Sequence, residues 1–122
     1  MFPRPLRALA SVVFVASIMA CAPSEDSLDC EDAPTFTKDI QPEIVATTCI
    51  QCHSTERFAE GRRGAPADLN FNRYELIAPH RVAFLSAITS GRMPPPDLDP
   101  PIETTKAQRE MAEAWGQCDF PE

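Results

Sequence analysis

Basic residues are scarce in this chain: 11 Lys and Arg stand against 18 Asp and Glu, for a formal net charge of −7. Binding to a phosphate backbone needs a clustered excess of Lys and Arg, so no nucleic-acid partner is expected. Histidine is scarcer still, with two in 122 residues, which removes any His-rich metal site. Only four glycines accompany thirteen prolines, a balance that implies short, stiff loops and argues against a large sheet. No apolar run approaches the roughly 20 residues that a spanning helix requires. No internal repeat is visible, and no segment alternates convincingly as a strand does. What is present is an apolar fraction of 43%, enough for one packed domain, together with five cysteines.

The start of the chain reads as an export signal. Arg4 and Arg7 precede an apolar run, Ala8 to Ala20, broken only by Ser11 and Ser17. Ile18-Met19-Ala20-Cys21 then resembles a bacterial lipobox. That resemblance implies cleavage before Cys21 and lipidation of this residue, with acyl chains holding the protein on a membrane. Ordinary secretion, with Cys21 a spare thiol, is the alternative. Ala22 follows Cys21 in place of the Asp that resembles an inner-membrane retention signal, so the periplasmic face of the outer membrane is favoured. Glu25, Asp26, Asp29, Glu31 and Asp32 crowd a stretch without periodicity, which reads as a solvated tether.

The remainder reads as all-helical with long loops. Phe36, Ile40, Ile44 and Val45 have helical spacing, with Thr37 or Asp39 as cap and Pro42 in the first turn. Arg73 to Ala78 is a short helix stopped by Pro79. His80 to Ser90 is another, ended by Gly91. Met93 to Pro101 is a loop with five prolines. Thr105 to Trp115 is the last helix, with Thr105 and Gln108 as a capping box, Met111, Ala112 and Trp115 as its apolar stripe, and Gly116 as its stop.

Cys49-Ile50-Gln51-Cys52-His53 carries the chemistry. In C-x-x-C-H, two thiols one helical turn apart can form thioethers to one haem, and the adjoining histidine lies beneath the iron. A thioredoxin-like redox pair also uses C-x-x-C but calls for a βαβ setting. A zinc site would need two further ligands from Cys30, Cys118 and His80.

The order of helix, C-x-x-C-H, loop, short helices, Met in a Pro-rich loop and terminal helix resembles the class I c-type cytochromes. Phe36 to Pro42, Cys49 to His53, Leu69-Asn70-Phe71, Tyr74-Glu75-Leu76 and Gly91-Arg92-Met93-Pro94-Pro95 are similar to the small bacterial monohaem members. The resemblance implies a cytochrome c-like fold around one covalent haem c, with the first and last helices packed together. It implies His53 and Met93 as axial ligands of the iron, with His80 the rival to Met93. Pro66 is implied as the carbonyl that orients His53, and Leu69, Phe71, Tyr74 and Phe84 as pocket residues. Arg62, Arg63 and Arg73 are candidates to pair with haem propionates.

Lipid at Cys21 and haem at Cys49 and Cys52 leave Cys30 and Cys118, and export favours a disulfide between them. In the family's fold the two helices they flank cross and pack. The expected organisation is thus a signal peptide (1–20), a lipidated Cys and acidic tether (21–33), a cytochrome c domain (34–119) and a tail (120–122). The expected function is single-electron transfer with redox partner proteins, not enzymatic turnover. A haem-bearing subunit of a larger oxidoreductase and a haem peroxidase-type enzyme are the alternatives.

Overall fold

The computed structural model describes residues 29–122, so the expected signal segment and Cys21 lie outside the described residues. Among these, the chain is mostly helical and contains no strand. None of the helices among the described residues is long and apolar enough to cross a membrane. A single 3-10 turn, Cys30–Asp32, leads into the N-terminal helix, Phe36–Cys49. Three α-helices follow: α1, Tyr74–Ile77; α2, Arg81–Thr89; and α3, Lys106–Gln117.

The N-terminal helix is wound in the wide π form. The Ile40 and Ile50 amides donate five residues back, to the Thr35 and Val45 carbonyls, both at 3.1 Å. Its cap is Thr35, two residues before Thr37 and four before Asp39, the expected candidates. The Thr35 hydroxyl accepts from the Lys38 amide at 3.4 Å, and the Asp39 carboxylate accepts from the Thr35 amide at 2.8 Å. Pro42 consequently sits inside the helix and not in its first turn. In a regular α-helix its ring would meet the carbonyl four residues earlier; the wider turn moves that carbonyl aside. Phe36, Ile40, Ile44 and Val45 are buried, as their spacing predicts.

The Arg73–Ala78 and His80–Ser90 segments form α1 and α2, joined by a 3-10 turn over Ala78–His80 that contains Pro79. Gly91 ends α2 with φ +71°. The capping box of α3 forms as expected: the Thr105 hydroxyl accepts from the Gln108 amide at 3.1 Å, and the Gln108 side chain accepts from the Thr105 amide at 2.8 Å. Gly116 does not stop this helix, which runs on to Gln117. It lies where α2 crosses, and a Cβ there would collide with the Leu85 side chain. Its small size serves close approach, not termination.

α3 packs on both α2 and the N-terminal helix. Trp115, fully buried, is the hub, with ring centroids 6.1 Å from Phe36, 6.1 Å from Phe84 and 4.9 Å from Phe120. Residues 120 and 121 of the expected tail are packed, and Glu122 is exposed. Phe120 is buried, and the Pro121 carbonyl accepts from both the Phe36 amide at 2.9 Å and Trp115 Nε1 at 2.7 Å. Tyr74 belongs to this core and not to a pocket: its ring faces Phe36 at 5.5 Å and its hydroxyl donates to the Phe120 carbonyl at 3.0 Å. Cys30 and Cys118 form the expected disulfide, with Cα atoms 5.4 Å apart, inside the range a disulfide spans.

Candidate functional site

The Cys49 carbonyl, at the end of the N-terminal helix, accepts from the Cys52 and His53 amides at 3.1 and 2.8 Å. This turn brings Cys49, Cys52 and His53 to one wall of a cavity of about 580 Å³. Pockets of roughly 300–1,000 Å³ are large enough to bury most of a cofactor-sized ligand. Leu69 and Phe71 continue the wall beside the motif. Ala83, Phe84, Ala87 and Ile88 supply one face from α2, and Met93, Pro94, Pro95 and Leu98 close it from the Pro-rich loop. Apart from the motif itself, His80, Arg92 and Thr48, the lining is apolar.

His53 is the most constrained polar group in this wall. Its Nδ1 lies 3.1 Å from the Leu69 carbonyl, which can only accept, so Nδ1 carries the proton and Nε2 keeps its lone pair. The ring stacks on Phe71 at 4.8 Å and 23°, and the Phe71 amide donates to the His53 carbonyl at 2.9 Å. Burial pulls the His53 pKa down; the Leu69 carbonyl opposes this, and the Arg62 guanidinium adds to the lowering. The neutral imidazole, the form that binds a metal, is thereby favoured.

Pro66 does not take the orienting role expected of it. It lies outside the cavity wall, and its carbonyl accepts from Arg62 Nη2. The loop from 54 to 70 folds around Arg62, and the carbonyl of Leu69, three residues after Pro66, is the one that meets His53. Arg62 carries no sequence signal for this role, because backbone acceptors are the same whatever side chain they bear. Arg63 is likewise engaged with backbone, donating through Nη2 to the Asp99 and Pro100 carbonyls. The donors of Arg62 are directed at the loop, and those of Arg63 tie it to the Pro-rich segment.

A thioredoxin-like pair calls for a βαβ setting, and the described residues contain no strand. Burial, with Cys52 adding to it, raises the Cys49 pKa to about 12. Reactive C-x-x-C pairs work through a lowered pKa. The zinc alternative also loses its ligands, since Cys30 and Cys118 are bonded to each other. No cluster of three or more His, Cys, Asp or Glu side chains that could hold a metal ion occurs among the described residues.

No family model, no curated protein and no solved structure matches the chain. The donor set is what points to a cofactor. Two thiols and one neutral imidazole on the wall of a large apolar cavity fit a haem held by thioethers and one axial nitrogen. Met93 and His80 both line the cavity, so it brings both candidate sixth ligands together with His53.

Proposed function

We propose that this protein is a single-electron carrier of the class I cytochrome c type. Cys49 and Cys52 would hold one haem c covalently, and His53 and Met93 would ligate its iron. The observation that carries this reading is the cavity wall itself: the C-x-x-C-H residues border a cavity of about 580 Å³, with His53 Nδ1 engaged by the Leu69 carbonyl and Nε2 left to bind. Bound there, haem c would supply a one-electron iron couple without an open coordination position. The chain's own residues then have separable tasks. Cys49 and Cys52 fix the group, and His53 is held in one tautomer. The α2 face and the prolines after Met93 exclude water. Lipid at Cys21 would tether the domain outside the cytoplasm, favouring the periplasmic face of the outer membrane, where redox partner proteins would meet it.

Absorption spectra of the purified protein, oxidised and reduced, test this reading. The expected result is a c-type haem spectrum with the charge-transfer band of thioether-ligated ferric iron. Met93→Ala should abolish that band and lower the potential. If His80→Ala alters the spectrum and Met93→Ala does not, His80 is the sixth ligand. A purified, exported protein without covalent haem ends the proposal.

A further inference from the structure

Arg62 is the one buried charged side chain among the described residues, 6% exposed. Burying a guanidinium is costly unless its N–H groups are bonded. No carboxylate pairs with it; the only ion pair among the described residues is Lys106–Glu110. Its donors go instead to oxygens of the loop that follows the haem-binding motif. Nε donates to the Ala65 carbonyl at 3.1 Å. Nη1 donates to the Ser54 carbonyl at 2.8 Å and to Asn70 Oδ1 at 2.9 Å. Nη2 donates to the Pro66 carbonyl and, at 2.9 Å, to the Leu69 carbonyl. That last oxygen is also the acceptor for His53 Nδ1. One carbonyl thus serves two donors, one of them a full cation.

We infer that Arg62 is a positioning residue for His53: it fixes the Leu69 carbonyl at the Nδ1 proton and, by drawing on the same oxygen, limits how strongly that carbonyl pulls the proton. The inference rests on the haem reading above for its redox consequence, but not for the hydrogen bond. A carbonyl already polarised by a cation is a weaker acceptor for a second donor. His53 therefore keeps the character of a neutral imidazole and does not lean towards imidazolate. The unpaired guanidinium also disfavours further positive charge nearby. Both effects favour the reduced state of a metal bound at Nε2.

The test compares the full chain, expressed in a host that attaches haem, with Arg62→Lys and Arg62→Gln. Lys keeps the charge and loses the fork of donors; Gln loses both. Exchange of the His53 Nδ1 proton with solvent, read by NMR, should quicken about tenfold in both variants, because a Leu69 carbonyl no longer fixed by the fork of donors loses more in alignment with that proton than it regains in acceptor strength. The midpoint potential should fall in Arg62→Gln, with Arg62→Lys lying between it and the wild type. A residue that only staples the loop would lower thermal stability in both variants while leaving proton exchange and potential unmoved, and that result overturns the inference. If neither Arg62 variant folds, Asn70→Ala removes one guanidinium acceptor. It should quicken the same exchange, and unchanged exchange overturns the inference. Wild-type protein without covalent haem defeats the proposed function alone, because the exchange comparison needs no haem and still decides whether Arg62 holds His53.

Discussion

Around Trp115 the chain is held by its own side chains. Phe36, Phe84 and Phe120 surround the indole, and Ile40, Ile44 and Ile77 are fully buried nearby. Around the cavity the holding is done differently. The loop from 54 to 70 is gathered by one guanidinium on backbone oxygens, and the Pro-rich loop is tied to it through Arg63. The first region completes a core by apolar contact; the second builds a wall whose inner face is apolar and whose ties lie behind it. Such a division is what a small domain requires if a large prosthetic group is to supply part of its core. The helical side can be judged by packing rules alone, whereas the loop side borders a cavity of about 580 Å³.

The largest effect is expected on the loop side, from Cys49→Ala with Cys52→Ala. The exported product should lack covalent haem by haem staining and lose ordered structure on the loop side by hydrogen exchange; a double variant that retains covalent haem would refute the assignment. Removing both Cys30 and Cys118 by alanine substitution should come next. The bridge joins residues 88 apart, and loop entropy puts its contribution near 4 to 5 kcal/mol, read as a fall in the denaturation midpoint. Trp115→Ala should cost about 3–5 kcal/mol by the same measurement and destabilise the helical side directly. Smallest is Gly116→Ala, where the new methyl meets Leu85; about 1–3 kcal/mol is expected. A Gly116→Ala protein as stable as the parent would mean that the end of the Leu85 side chain swings aside without loss.

What the sequence made legible was local chemistry and counting. Thr105 and Gln108 cap α3 as their spacing requires, since a capping box needs only four consecutive residues. The Cys30–Cys118 pair followed from bookkeeping of thiols, joined to the expected crossing of two helices. What was hidden depended on contacts between distant segments. Gly116 looked like a helix stop because nothing local reveals Leu85 above it. Pro42 looked like a first-turn proline because sequence periodicity does not distinguish a π-wound turn from an α-helical one. Phe120 and Pro121 read as a tail, but Asp119 and Phe120 take positive φ values, 62° and 57°, that turn the chain back onto Trp115. At the site, the C-x-x-C-H motif was plain. The choice of the Leu69 carbonyl over that of Pro66 was not, because it depends on how the loop closes around a buried arginine.

The bond between Cys30 and Cys118 also has a mechanical meaning. Residues 30–118 form a covalent ring, and any pull on the chain ahead of Cys30 enters that ring at a junction. From there tension divides between two routes, one along the N-terminal helix and one along α3. Both lead to Trp115, where Phe36 and α3 already meet. A tugged domain would therefore be loaded from two sides at once and would not be peeled open from its first helix.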